Sequence, residues 1–81
     1  MKRVTIDTHN LSTMEQIHDY LAKELNFPDH YGKNLDALYD CLTDINEETE
    51  IELIAESGTF LPLRKVLTAA GKANKKLNIT L

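Results

Sequence analysis

The sequence predicts a small α/β fold, in which a three-stranded parallel sheet packs with three or more helices. Stretches rich in β-branched residues, alternating with polar ones, stand near the start, past the middle and at the end of the 81-residue chain. Between them, apolar residues recur every three or four positions, which is the spacing of one helix face. The order strand, helix, helix, strand, helix, strand favours parallel strands joined by right-handed crossovers.

The first strand is predicted over residues 2–7, parallel to its neighbour and well covered. After a polar connection, Ser12 and Glu15 form the motif S-T-M-E, which predicts a capping box at the start of a helix. That helix is expected to end near residue 25. Its apolar stripe comprises Met14, Ile17, Leu21 and Leu25.

A second helix is predicted from Leu35 to Ile45, and it is the segment around which the function is expected to be organised. Drawn at about 100° per residue, it has one apolar stripe about 80° wide. The stripe comprises Leu35, Leu38, Leu42 and Ile45. Carboxylates lie on the opposite face of the helix at positions i, i+4 and i+8. At this spacing like charges repel by a few tenths of a kcal/mol per pair. They belong to Asp36, Asp40 and Asp44.

The loop before this helix places ring side chains beside the acidic face. Pro28 and Gly32 turn the chain after the first helix. His30 and Tyr31 contribute two rings. Asn34 is predicted as the N-cap, because its amide oxygen can accept a hydrogen bond from an early backbone N–H of the helix.

The rest of the chain predicts one more helix between two strands. The second strand is expected over residues 49–55, ending at the turn signal Ser57-Gly58, and the last strand over residues 77–81. Pro62 fits the first turn of the intervening helix, where its missing N–H costs little. The apolar positions of that helix are Leu63, Val66, Leu67, Ala70 and Ala73.

Charge is segregated along the sequence, which has a net charge of −4. Residues 34–56 contain eight acids and no lysine or arginine, whereas residues 57–81 contain five bases and no acid. The acidic stretch has two interpretations, a solvated surface or an electrostatic footprint for a basic partner. The lysines near the end of the third helix suit the negative pole of the helix dipole better than they indicate a nucleic-acid site.

Size and composition limit the classes of function. With 42% hydrophobic residues, residues 1–81 are expected to form one domain with one core. Such short chains bury about 60 to 65% of their surface, so function is expected on the outside rather than in a deep substrate cavity. Cys41 is the single cysteine and is interpreted as a small core residue, not a reactive thiol.

The expected location is the cytoplasm. The N-terminal residues MKRVTIDTHN lack the apolar run of about 7 to 15 residues found in a signal peptide. No stretch approaches the ~20 apolar residues that cross a membrane. A single cysteine agrees with a reducing compartment.

Neither catalysis nor a bound metal or cofactor is expected. The sequence has no glycine-rich phosphate loop, no zinc-type cysteine and histidine set and no Ser-His-Asp pattern. The three histidines fall in different predicted elements. Asp36 and Asp40, exposed on one helix, would both be ionised and lack the difference in environment that separates an acid from a base.

The segment HYGKNLDALYDCL resembles the signature of the barstar family, intracellular protein inhibitors of secreted, barnase-like microbial ribonucleases. That signature is an aromatic pair, Gly, Asn and then D-A-L-W-D-x-L. The match is dense over residues 25–42, and the order of strands and helices extends it over nearly the whole chain. The resemblance implies a barstar-like fold and an inhibitor that binds one basic ribonuclease molecule, with no direct binding of nucleic acid or membrane.

The resemblance also implies which residues contact the partner. In the family, the loop and helix enter the ribonuclease active site, and their carboxylates take the place of RNA phosphates. Asp40 matches the second aspartate of the signature, the central anion, and Asp36 matches the first. The expected contact residues are His30, Tyr31, Gly32, Asn34, Asp36, Tyr39, Asp40 and Asp44.

Several positions depart from the family pattern. His30 and Tyr39 stand where the family has the first aromatic residue and the tryptophan, and Lys33 is basic where the prototype is acidic. Nothing after Glu56 is acidic, so a further acidic contact in the last helix has no counterpart, and the connection before that helix is shorter. The alternative function is an adaptor of the same fold that binds another basic protein and inhibits no enzyme.

Overall fold

The elements follow one another in the predicted order. A computed structural model describes residues 1–54 and 60–81. Ala55 at the predicted end of the second strand, Glu56 and the predicted turn at Ser57-Gly58 lie outside the described residues. The elements are β1 Lys2–Asp7, α1 Met14–Glu24, α2 Leu35–Thr43, β2 Thr49–Ile54, α3 Leu61–Ala73 and β3 Leu77–Thr80.

The sheet is parallel, with β2 at its centre in the order β1-β2-β3. Val4 is paired with Ile51, and Ile51 is paired with Ile79. In β1, Val4 and Ile6 are buried while Arg3 is exposed, as expected for a strand with one covered face. The predicted α/β fold and parallel pairing are therefore confirmed.

The core lies between the sheet and the apolar stripes of the helices. Burying a Leu, Ile or Val side chain contributes roughly 1.5 to 3 kcal/mol, so a core of this kind is the main source of stability. The stripes of α1 and α2 are confirmed, whereas Ala73, predicted to end the stripe of α3, is exposed. The buried apolar residues are Val4, Ile6, Ile17, Leu21, Leu38, Leu42, Ile51, Leu53, Leu63, Leu67, Ala70 and Leu77.

The capping box of α1 lies one residue later than predicted. The N-cap is Thr13, whose Oγ1 accepts a hydrogen bond from the backbone N–H of Gln16 at 3.1 Å. The amide oxygen of Gln16 accepts from the N–H groups of Thr13 and Ser12, at 3.3 and 2.8 Å. The prediction of Ser12 with Glu15 was wrong, because Gln16 reaches both preceding N–H groups.

The second helix is shorter than predicted. α2 ends at Thr43, Asp44 is its C-cap, and Ile45 follows the helix while still packing partly on the core. The side-chain amide of Asn74 donates hydrogen bonds to the carbonyl oxygens of Leu42 and Ile45, both at 3.0 Å. These bonds satisfy carbonyl groups that a helix end leaves without an intrahelical partner.

Gly71 has a packing role inside α3. A Cβ at this position would lie 2.9 Å from Cγ1 of Ile79 in β3, closer than carbon atoms can approach. Glycine lowers helix propensity, but here it allows the strand to lie against the helix. Among the helices described, none is long and apolar enough to cross a membrane.

Candidate functional site

The outward side of α2 is an exposed acidic face. Asp36, Tyr39 and Asp40 are exposed on the helix, and Asp44 is exposed at its C-terminal cap. None of the three aspartates takes part in a salt bridge within the described residues, where the pairs are Arg3–Glu50, Asp7–His9 and Asp19–Lys33. The face therefore presents carboxylates to solvent without cations of its own chain.

The start of α2 is held by Asn34, as predicted. Its Oδ1 accepts a hydrogen bond from the N–H of Ala37 at 2.8 Å. A Cβ at Gly32 would lie 3.2 Å from the side-chain nitrogen of Asn34, so a larger residue would crowd the cap. The chain thus enters the helix through a close-fitting turn beside Asp36.

The loop from residue 26 to residue 34 has an unusual backbone. Asn26 and Lys33 have φ angles of 56° and 52°, in the left-handed region that residues with a Cβ seldom adopt. At Asn26, directly after the C-cap of α1, this is an ordinary helix ending, whereas at Lys33 it costs about 1 to 2 kcal/mol and persists where surrounding contacts determine it. Two backbone hydrogen bonds in this loop are donated by Phe27 to Ala22 and by Tyr31 to Pro28.

Tyr31 is anchored inward by two contacts. Its ring packs on Phe27 with the centroids 4.9 Å apart, and its hydroxyl lies 2.6 Å from Nδ1 of His18 on α1. Burial raises the pKa of the Tyr31 hydroxyl. Tyr31 is therefore half-buried and can offer a partner only part of its ring, whereas His30 beside it is exposed.

His18 is the buried partner of this tyrosine, with 4% of its surface exposed. Burial lowers its pKa, Asp19 acts in the opposite direction, and Lys33 lowers the pKa further. The neutral imidazole is thus favoured, and its Nδ1 can accept a hydrogen bond from the Tyr31 hydroxyl.

Lys33 is paired within the chain. Its Nζ lies 2.7 Å from Oδ1 of Asp19, the residue that follows His18 on α1. The hydrogen bond and the charge of Asp19 raise the pKa of Lys33. The basic residue that departs from the family pattern is thus matched by an acid on the neighbouring helix.

An open groove of about 630 Å³ adjoins the acidic face. The sequence led us to expect no deep cavity, and this space is open to solvent at the surface. Its polar edge includes Asp36 and Asn34, and its apolar walls come from three helices. The lining residues are Met14, His18, Asn34, Leu35, Asp36, Pro62 and Leu63.

Cys41 is partly buried beside the acidic face. Burial raises the pKa of its thiol, and the charges of Asp44 and Asp40 raise it further. A thiol with a raised pKa is a poor nucleophile, which agrees with the structural interpretation. Within residues 1–54 and 60–81, no cluster of His, Cys, Asp and Glu could hold a metal ion.

Sequence reasoning missed two residues that shape this site, His18 and Asn74. His18 directly follows Ile17 and lies three positions before Leu21, so its place at the edge of a buried stripe was a signal. Asn74 gave a weaker signal, since its contacts with α2 span about thirty residues of sequence.

Comparison with known proteins gives consistent results. The family model described as "Barstar (barnase inhibitor)" matches residues 1–77. The chain is 51% identical over 64 residues to the Bacillus subtilis (strain 168) protein named "Putative ribonuclease inhibitor YrdF". That alignment covers 75% of this chain and 70% of the relative.

Proposed function

Since the chain belongs to the barstar family, we propose that it is an intracellular inhibitor of a secreted barnase-like ribonuclease, which it binds one-to-one. The observation that carries this proposal is the position of the acidic face. The exposed carboxylates of Asp36 and Asp40 fall at the aspartates of the family signature and form no salt bridge within residues 1–54 and 60–81.

The proposed mechanism is mimicry of RNA phosphates. Asp40 is the central anion among the cationic groups of the ribonuclease active site, and Asp36 and Asp44 support it. Charge-assisted hydrogen bonds to a carboxylate are short and strong when water is excluded, so the complex depends on desolvation of these groups at the interface. No covalent step, metal or cofactor takes part.

The loop completes the contact surface. His30, Tyr31 and Tyr39 supply ring contacts, and the chain at Gly32 and Asn34 comes close to the partner. Aromatic side chains are frequent anchors at protein interfaces. The N-cap and the inward anchoring of Tyr31 hold this surface in shape before binding, which lowers the entropy cost of association.

The proposal is tested by titrating barnase with the purified protein in an RNA-cleavage assay. Barnase activity should fall linearly and vanish at one equivalent, and the protein alone should cleave no RNA. Calorimetry should give a stoichiometry of one. A complex in which barnase stays active would contradict active-site blockage and favour the adaptor function, and no binding at all would exclude barnase itself as a target.

A capture experiment addresses the identity of the natural partner. The immobilised protein is exposed to the secreted proteins of its own organism, and each captured protein is assayed for RNA cleavage with and without added inhibitor. We expect a small basic ribonuclease that loses activity. Capture of a basic protein without ribonuclease activity would instead identify an adaptor.

A further inference from the structure

We infer that His18 and Asp19, two consecutive residues of α1, are positioning residues that hold the partner-binding loop in the conformation required for inhibition. The inference rests on the proposed function for its binding consequence, while its structural part concerns the free protein. Neither residue belongs to the expected contact set.

Two side-chain contacts, called ties below, join α1 to the loop before α2. His18 Nδ1 lies 2.6 Å from the hydroxyl of Tyr31, and Asp19 Oδ1 lies 2.7 Å from Nζ of Lys33. The two helix residues are adjacent and the two loop residues are two apart, so the ties act on the same short stretch. This stretch leads directly into Asn34 and the acidic face.

The loop needs such ties because its backbone is not self-supporting. Lys33 has a left-handed backbone at φ 52°, a conformation that a residue with a Cβ adopts only when contacts determine it. The preceding backbone hydrogen bond is donated by Tyr31 to Pro28. The side-chain contacts of Tyr31 with His18 and of Lys33 with Asp19 therefore hold the backbone of Lys33 in this conformation.

The tie through His18 is sensitive to protonation. Nδ1 of the neutral imidazole can accept from the Tyr31 hydroxyl, whereas protonation at Nδ1 reverses this hydrogen bond and places a charge in a buried site. Because burial lowers the pKa of His18 from 6.5, the neutral pairing is fully favoured above pH 6.5, and the buried charge destabilises the tie as the pH falls through the lowered pKa.

The charged groups around His18 leave this direction unchanged. Asp19 on α1 favours the protonated form, whereas Lys33 from the loop opposes it. Asp36 of α2 shares the groove with His18, and the residues that α3 contributes to that groove, Pro62 and Leu63, carry no charge. Burial remains the largest cause, so acid is expected to weaken the tie.

The first experiment uses the free protein. Amide hydrogen exchange is followed at residues 27 and 31 in the wild type, Tyr31→Phe and His18→Asn. Deleting the hydroxyl in Tyr31→Phe should speed exchange at residue 31 by about tenfold, because one buried hydrogen bond is lost. His18→Asn, whose amide oxygen can accept in place of Nδ1, should retain most of the protection. His9→Asn, an exposed histidine outside the loop, is the control.

The ion pair is tested by a double-mutant cycle. Asp19→Asn and Lys33→Met should each speed loop exchange by about two- to threefold, the modest effect of an exposed pair. The double variant should be no worse than either single variant, because both remove the same interaction. Additive effects would show that the two side chains act independently and would contradict this tie.

The second experiment measures the dissociation constant for barnase between about pH 8 and about pH 5. Binding by the wild type should weaken toward acid more steeply than binding by His18→Asn. Both proteins retain His30, so the difference between the profiles belongs to His18. Barnase also titrates, but equally in both series.

The outcomes separate the two proposals. The positioning role would be overturned by unchanged exchange at residue 31 in Tyr31→Phe. It would also be overturned if the dissociation constants of the wild type and His18→Asn for barnase depended on pH in the same way. Failure of the wild type to inhibit barnase or any ribonuclease captured from its own organism would overturn the proposed function instead, and the exchange measurements would still decide whether the tie orders the loop.

Discussion

The helices α2 and α3 bury similar side chains and present opposite charges. The two helices are in contact with each other, and each contributes buried leucines to the core, Leu38 and Leu42 from α2 and Leu63 and Leu67 from α3. The outer side of α2 carries aspartates, whereas α3 carries arginine and lysines and no acid. The two helices thus meet the same packing requirement with different outer surfaces.

The helix dipole accounts for the charge at the C-terminal end of α3 but not for the charges at the C-terminal end of α2. Lys72 in the last turn of α3 suits the negative end of the helix dipole. α2 has no base in its last turn and instead ends with Asp44. Acids near a helix C-terminus are unfavourable, so Asp40 and Asp44 at this end of α2 are better explained by a requirement outside the fold.

The segment that follows α3 compensates for the unfavourable end of α2. Asn74 donates to the carbonyl oxygens of Leu42 and Ile45, and Nζ of Lys76 donates to the carbonyl of Asn46 at 2.8 Å. Groups from elsewhere in the chain thus perform the task that a lysine in the last turn would perform. The contrast between the helices predicts different responses to mutation.

The largest expected effect is on binding, at Asp40. Asp40→Asn should weaken inhibition of barnase by about 2 to 5 kcal/mol, a range set by other interfaces, that of barnase with its inhibitor among them. The reason is that cationic groups of the enzyme would be left buried without their anion. The dissociation constant and the melting temperature are measured together.

Glu47→Gln is the matched control for Asp40→Asn, since it removes the same charge from an exposed residue outside α2. It should change binding little. Full inhibition by a folded Asp40→Asn protein would end the phosphate-mimic mechanism.

The next effect is on folding, at the apolar stripe of α2. Leu38→Ala should destabilise the protein by about 2 to 5 kcal/mol, because it opens a cavity in the core. Urea unfolding measures the change. Leu61→Ala, at a leucine of α3 that is 52% exposed, is the control and should cost far less. Equal stabilities of the two variants would mean that the stripe of α2 is not the core contact.

The order of the elements and most of α2 could be predicted because the responsible signals are local. Apolar periodicity over residues 35–45 and the side chain of Asn34 act within one or two turns. The start of α1 shows the limit of local rules. Both Ser12 with Glu15 and Thr13 with Gln16 satisfy the spacing of a capping box, and the spacing alone does not rank them.

The parts that could not be predicted depend on contacts between distant residues or on disfavoured backbone. Asn74 contacts the end of α2 although β2 and α3 separate the two in the sequence. The tie between His18 and Tyr31 joins two different elements, and Lys33 near it has a left-handed backbone, which propensity disfavours for a residue with a Cβ. The exposed aspartates were predicted, but their role depends on a partner that the free protein does not contain.

A third prediction concerns encounter with the enzyme. The acids of residues 34–56 should speed association with a basic ribonuclease, so the association rate constant for barnase should fall by about tenfold or more from ~0.01 M to ~0.15 M salt. The dissociation rate should change less. Association rates that do not depend on salt would show that the acidic charges do not speed binding. The charge difference between α2 and α3 would then have no role in the encounter.

A smaller effect is expected at the end of α2. Asn74→Ala removes the donor to the carbonyl oxygens of Leu42 and Ile45 and should cost about 1 to 2 kcal/mol of folding stability. Asn78→Ala, at an exposed residue of β3, is the control. Equal stabilities of these variants would show that water satisfies the end of α2 without help from Asn74.

The smallest effects should have opposite signs in the two helices. Asp44→Asn removes a negative charge at the C-terminal cap of α2 and should stabilise folding by about 0.3 to 1 kcal/mol, while Lys72→Gln in α3 should destabilise it by a similar amount. Both changes are measured by urea unfolding at low salt and should shrink as salt is added. If Asp44 serves the partner, Asp44→Asn should gain stability and lose affinity for barnase together. A variant that loses stability and keeps full affinity would assign Asp44 to the fold, and the acidic face would then end at Asp40.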